Sequence, residues 1–535
     1  MQDYRSDIQV LARAHQYRLH PFALKGLSDY LSSLGGDGEK RRDVLRELFA
    51  YLHKLCATDR FVDEEKMRSA IAQQSVRERG ATEREGALST VSVALKDIPH
   101  VYMDERTGEM KVQPVAHDGS RFTVLRQRYL FARRRCQRSG LFRRDMSKQS
   151  LDRDLPPLLP SIALEGIQPS EHVAVLGMII KRLNETYLED LHGQLKLNFR
   201  ADMRPPVGML GDGFLVVVRG QWSNGVLVAA NIDLPPAERR EDTLRDMGAD
   251  YDLFGHRPSD VVAALTQEKQ SLRSVIIVMS HIHLDQQVTM NRLISFFKEM
   301  QKRTEAELMD TTLVMVGDFC SAAIHYDDVS HLPEPFEGSN HYKILMDGLA
   351  TVITTHAPSV AQHTQVVLVP GPNDITGLLG VLPQPPIVSI FGKTLQARLK
   401  KVVFAPNPCR LRFFTHEIVV ARRDFFRLLR ESGRVFDWPS ASGPASINSF
   451  ESVAKTVLDE AHLAPEVREN VLWKADEALR LTALPHLLVL CDSTEQWECT
   501  YKGVHVVNPG SFSLAATFLW YTPADGECSL SRVEQ

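Results

Sequence analysis

Two short apolar runs constrain this chain more than any other feature. Ser274-Val275-Ile276-Ile277-Val278-Met279 leads into Ser280-His281-Ile282-His283-Leu284-Asp285. Thr312-Leu313-Val314-Met315-Val316 leads into Gly317-Asp318-Phe319-Cys320-Ser321. Each run is rich in Val and Ile and closed by turn-prone residues, which predicts a strand buried on both faces. Between them, Leu293 to Leu308 reads as a helix. Strand, helix and strand form a βαβ unit, with the polar residues gathered at one end. Sites in α/β sheets lie at that end. His281, His283 and Asp318 are therefore the first candidates for chemistry.

A chain of 535 residues holds more than one core. Its net charge of −4 excludes a molecule that is basic throughout and sheathes nucleic acid. The seven cysteines include no CxxC pair, which argues against a zinc ribbon or a disulfide framework and for a reducing compartment. No run approaches the ~18 apolar residues of a membrane span, and Met1-Gln2-Asp3-Tyr4-Arg5 does not open a signal peptide.

Residues 1–75 read as a small helical domain. Ile8, Leu11 and Ala12 share a helical spacing, as do Leu24, Leu27, Leu31 and Leu34, and Val44 to Leu55 form a wide stripe. Asp63 stands where an N-cap would open a further helix. Residues 76–160 read as a linker with a short helix near Leu88–Leu95, a strand at Val101-Tyr102 and a basic-aromatic helix over Arg121–Arg135. That helix places Leu125, Tyr129 and Leu130 on one face. Its arginines admit a nucleic-acid reading, but an acidic chain favours a solvated arginine face on a packed helix.

Residues 161–240 change to short alternating strands: Val173–Ile179, two around Gly193, Phe214–Gly220 and Val226–Ala230. Five strands in that space predict a barrel of OB type. Aromatics are few, so a docking barrel is favoured over a single-strand binder. Glu238–Asp246 reads as an exposed connection. Residues 241–535 then form the α/β domain, with strands expected at Val366–Val369, Val402–Phe404, Arg412–Phe414, Ile418–Ala421, Leu487–Leu490 and Val504–Val507. Helices are expected near Tyr342–Leu349, Asp424–Glu431 and up to Leu463, with a serine-rich loop at Ser440–Ser449.

A two-metal phosphoesterase gathers carboxylates, histidines and an asparagine from several strand ends around two cations. The order of blocks here resembles the calcineurin-like phosphoesterases, but the ligands differ. His281 stands where their Asp belongs, while His283 matches. Gly317 and Asp318 match, but Ser321 replaces the second Asp. In Pro370-Gly371-Pro372-Asn373-Asp374, Pro372 takes the metal-binding Asn position and Asn373 the His position. Leu490-Cys491-Asp492-Ser493 carries no Gly-His-x-His. Proline has no side-chain donor. His281, His283 and Asp318 could hold one zinc, or be a hydrogen-bonded remnant; the missing fourth ligand favours the remnant.

A barrel of OB type followed by a degenerate phosphoesterase domain resembles the B-subunit family of the replicative DNA polymerases, in particular its epsilon branch. Arg126-Gln127-Arg128-Tyr129, Val175–Ile179, Leu188–Gly193, Val369–Asp374, Asn407-Pro408-Cys409-Arg410, Thr415-His416-Glu417-Ile418 and Asn508-Pro509-Gly510-Ser511-Phe512 are similar to its blocks, in order and nearly end to end. Tyr17-Arg18-Leu19 with Leu24–Leu31 resembles its N-terminal helical domain. Ser280-His281 departs from the family's usual Ser-Asp, and Glu238–Gln270 diverges.

The resemblance implies a non-catalytic nuclear subunit with no cofactor, metal or catalytic residue of its own. It implies a grip on the zinc-binding C-terminal tail of the polymerase epsilon catalytic subunit. It further implies helicase and GINS-type contacts through the N-terminal domain, small histone-fold subunits in the same complex, and indirect contact with DNA. The alternatives are a B subunit of polymerase alpha or delta, and an active phosphodiesterase with a rearranged site.

Overall fold

The computed structural model describes residues 90–113, 119–142, 156–168, 172–203, 208–248, 251–324, 338–377, 380–434, 436, 450–466 and 471–533, and residues 8, 12, 17–33, 61–63, 66 and 67 ahead of them. It divides into two compact units, residues 1–88 and 89–535. In the first, Pro21 opens a helix over Pro21–Ser33, where its missing N–H costs nothing. Ala23 and Leu27 of this helix are buried, as are Ile8 and Ala12. Asp63 caps as expected: its Oδ1 accepts from Lys66 N–H at 2.8 Å. A short parallel pair joins Arg18–Leu19 to Phe61–Val62. The stripe over Val44–Leu55 lies outside the described residues.

The second unit holds the barrel and the α/β domain. The barrel closes with strands in the order Val226–Asp233, Gln194–Phe199, Glu185–Glu189, His172–Arg182, Leu215–Ser223. Alternation drives closure: Thr186 and Leu188, then Leu195 and Leu197, point inward while their neighbours stay partly or fully exposed. All five strands expected from the sequence are present.

The α/β domain is built on two six-stranded sheets. The first runs Val402–Phe404, Gln365–Val369, Thr311–Val316, Val275–Ser280, Thr517–Thr522, Glu527–Arg532. The second runs Trp497–Tyr501, Val504–Asn508, Leu487–Cys491, His416–Arg422, Cys409–Phe413, Thr90–Val93. Val275–Ser280 and Thr311–Val316 pair in parallel and are buried at every position. Their two faces feed different cores. Ile276, Val278, Val314 and Val316 meet Leu411, Ile418, Val420, Leu487 and Val489 between the sheets. Ile277, Met279, Leu313 and Met315 meet Phe297, Met346 and Ile353 of the covering helices. Each such buried side chain contributes about 1.5–3 kcal/mol.

Several expectations are corrected. The helix after the first strand spans Gln287–Gln301, and a second, Glu305–Met309, is started afresh by a Thr304–Glu307 capping box. No helix spans Leu88–Leu95; Thr90–Val93 is an edge strand on Cys409–Phe413. The C-terminal hairpin Thr517–Thr522 with Glu527–Arg532 is an addition to the sequence reading. Glu238–Asp246 is no loose connection, since Arg240–Met247 is helical.

The basic-aromatic helix spans Arg121–Arg138, capped by Ser120, which accepts from Thr123 N–H at 3.1 Å. Its buried face is Val124, Arg128, Tyr129, Ala132 and Cys136, so Leu125 and Leu130 sit at the margin. Arg121 is exposed, as a solvated face requires, but four other arginines are engaged by the surrounding protein. Arg128 donates to Pro465 O at 2.8 Å and Arg135 to Asp459 O at 2.8 Å. Arg134 takes Asp246 through both its Nε and Nη2, and Arg138 takes Glu238 in the same two-pronged way. Among the described residues no helix is long and apolar enough to cross a membrane.

Candidate functional site: a strand-end cleft held by a guanidinium

The parallel strands of both sheets end on one side, where the sequence candidates lie. His281 follows Val275–Ser280 directly and has a positive φ of 56°. Its backbone N–H donates to Gly317 O at 3.1 Å, tying the first strand end to the second. Ser280 Oγ donates to Gly510 O at 2.8 Å, so it must accept from His281 Nδ1, 3.1 Å away. That fixes the tautomer: Nδ1 carries the proton and Nε2 a lone pair. Burial first, and then the charge of Arg422, hold the imidazole pKa well below its ordinary value. His281 Nε2 is buried and without a hydrogen-bond partner.

Asp318 ends the neighbouring strand. Its Oδ1 accepts from Asn373 N–H at 2.8 Å, and its Oδ2 from Arg422 Nη2 at 2.7 Å. The loop Pro370–Asp374 approaches closely because two glycines let it: a Cβ on Gly371 would collide with Asp318 Oδ1, and one on Gly317 with Asp374 Oδ2. Asp374 accepts from Phe319 N–H at 2.8 Å and Gly371 N–H at 2.6 Å. Burial and then Asp318 push its pKa well above the carboxylate range. Asp374 is thus a brace for the loop. Asn373 meets Asp318 through its backbone, not through a ligating side chain.

Arg422 comes from the second sheet, as the last residue of His416–Arg422. It is only 3% exposed, and Asp318 likewise 3%. Its Nη1 donates to Asp424 Oδ1 at 2.9 Å. Asn407 pins the strand end: Arg422 N–H donates to Asn407 Oδ1 at 3.0 Å, and Asn407 Nδ2 donates back to Arg422 O at 2.9 Å. Burial opposes the guanidinium charge, but Asp318 and Asp424 outweigh it, so its pKa is raised. Burial raises the Asp424 carboxyl, and Arg422 more than reverses this, leaving it lowered.

His283 is half-buried, its ring centroid 6.4 Å from that of His281. Burial depresses its pKa more than Asp318 and Asp285 raise it. Ser321, at the lost second-Asp position, donates its N–H to Asp285 Oδ1 at 3.1 Å. Asp492 accepts from Phe426 N–H at 2.8 Å and so serves a helix start.

The metal set of a phosphoesterase does not fit these residues. Pro372 brings no donor atom, and the inner oxygen of Asp318 is taken by a guanidinium. Among the described residues no group of three or more His, Cys, Asp or Glu is placed to hold a metal ion. The structure gathers His281, His283 and Asp318 on one edge, yet the dominant group there is Arg422, which the sequence reading did not single out. The available signal was Ala421-Arg422-Arg423-Asp424, three charged residues directly after a buried apolar run.

An OB barrel joined to an α/β sandwich, with a buried guanidinium holding the strand-end carboxylates, defines the class. Residues 276–499 match the family model of the B subunit of DNA polymerases alpha and epsilon. A second model, the OB-fold domain of DNA polymerase epsilon subunit 2-like proteins, matches residues 118–236. The B subunit of DNA polymerase epsilon from Arabidopsis thaliana is 28% identical, covering 64% of this chain and 63% of its own. Homo sapiens DNA polymerase epsilon subunit 2 is 30% identical, over 63% and 61%. A Caenorhabditis elegans relative, probable DNA polymerase epsilon subunit 2, is 27% identical over 97% of this chain and 93% of its own. The plant and fungal relatives are matched over 54% to 63% of their length.

Proposed function

We propose that this chain is the accessory B subunit of DNA polymerase epsilon in nuclear DNA replication, and that it scaffolds rather than hydrolyses. The observation that carries this is the capture of Asp318 by Arg422, beside a proline at the metal-binding position. A calcineurin-like ancestor without its cations has no means to activate water at this cleft. What is left is a rigid two-sheet platform with a barrel packed against it, suited to a large obligate interface. In this reading the catalytic subunit's zinc-binding C-terminal tail sits on barrel and sandwich. The N-terminal helical unit reaches the helicase assembly, and histone-fold subunits belong to the same complex.

The test is affinity purification of the tagged full chain from its own cells, with the bound polymerase identified by mass spectrometry. The expected partner is the epsilon catalytic subunit; recovery of the alpha or delta subunit instead, or of none, rejects the assignment. The purified chain should also leave bis-nitrophenyl phosphate intact in manganese. Activity abolished by Asp318→Ala would restore the enzymatic alternative.

A further inference from the structure

We infer that Arg422 is a built-in cation that occupies the metal locus of the cleft and bars divalent ions from it. The inference deepens the non-catalytic reading, because it says what keeps this cleft from holding a metal. Its guanidinium joins Asp318 of the first sheet to Asp424 after the second, at 2.7 and 2.9 Å. A dication bridging two carboxylates would make the same link, with oxygen donors from both sheets. Arg422 does so with a charge that cannot dissociate, since a guanidinium stays protonated. It is also held from behind, by the Asn407 amide at its own backbone.

A second, independent observation lies beside it. His281 Nε2 is a buried lone pair without a partner, on an imidazole whose other nitrogen is committed to Ser280. A neutral imidazole with its far nitrogen anchored is the arrangement of a metal ligand. The Arg422 guanidinium already supplies the cation between Asp318 and Asp424. Removing the guanidinium would leave the Asp318 and Asp424 carboxylates facing the freed space. Two carboxylates bridged by one dication, with water completing its shell, make a weak Mn²⁺ site.

The experiment compares the full-length chain with R422Q and R422K, each in EDTA and in excess MnCl₂. Binding is followed by the Mn²⁺ EPR signal and unfolding by circular dichroism. Wild type and R422K should bind no Mn²⁺, with melting temperatures indifferent to the ion. R422Q should melt more than about 5 °C lower in EDTA. It should bind one Mn²⁺ and recover most of that loss, and R422Q/D318N should not bind. Mn²⁺ binding by wild type that D318N abolishes would overturn the inference. So would an R422Q protein, folded or not, whose behaviour Mn²⁺ leaves unchanged. Recovery of the polymerase catalytic subunit with R422Q is scored separately. A cleft that stays metal-free with the partner still bound rejects the inference alone, whereas loss of the partner from wild type rejects the function.

Discussion

Arginine does two different jobs in this molecule, in the cleft and along the helix Arg121–Arg138. In the cleft one guanidinium lies between two carboxylates at the end of parallel strands and takes a position where chemistry could occur. Along the helix Arg128, Arg134, Arg135 and Arg138 pin that helix to the barrel exit and the α/β domain, at a distance from any strand-end site. Arginine density invites a nucleic-acid reading in the sequence, but the dense region is structural. The arginine that bears on function is hidden in an ordinary strand ending. What decides the role is which acids surround the group, not how many arginines stand together.

The comparison sharpens most at Arg128, the helix arginine that is buried like Arg422. Its guanidinium lies 3.8 Å from Glu460 Oε2, with side chains 5% and 0% exposed. Arg128→Ala should cost about 1–3 kcal/mol, because Pro465 O is then buried without its donor and the stem of the side chain leaves a gap. Chemical denaturation of the full chain measures it. Unlike R422Q, this variant should not respond to Mn²⁺; a response would erase the difference between the two sites.

The same pair gives a pH signature. Burial, only partly offset by Arg128, pushes the Glu460 pKa to about 8. The folded state therefore keeps a proton that the unfolded chain releases near pH ~4.3, so this group's contribution to stability falls as pH rises from there towards 8. Glu460→Gln should flatten the loss of melting temperature between pH 6 and 8. Arg422→Gln should leave that slope in place, since Asp424, with a lowered pKa, changes stability only in acid. A slope unchanged in Glu460→Gln would show that the carboxyl is ionised throughout.

The barrel was legible because its strands alternate inward and outward over successive runs, as at Thr186, Leu188, Leu195 and Leu197. The βαβ unit was legible from full burial at every position. Thr90–Val93 was not, because four residues at a sheet edge carry no period, and their partner Cys409–Phe413 lies at the far side of the sequence. In the site, motif order located His281, His283 and Asp318. It could not reveal Arg422, whose meaning exists only once two separate sheets bring it against Asp318. The arginine helix misled for the converse reason: Glu238 and Asp246, which neutralise it, stand in a stretch that reads as a charged loop.

Smaller effects mark where burial stops mattering. Asp246 serves Arg134 and Arg138 together and is 17% exposed, so Asp246→Ala should cost about 1–2 kcal/mol, between the exposed and buried limits. Arg245 is the control. Its pair with Asp242 spans 3.0 Å, but the side chains are 77% and 47% exposed, and water already solvates both. Arg245→Ala should move stability by less than about 0.5 kcal/mol. High salt should abolish even that, since the Debye length falls to roughly 3 Å at 1 M. A loss comparable with that of Asp246→Ala, persisting in salt, would mean that the number of arginines and not their enclosure sets their worth. The contrast between the helix and the cleft would then lose its physical basis.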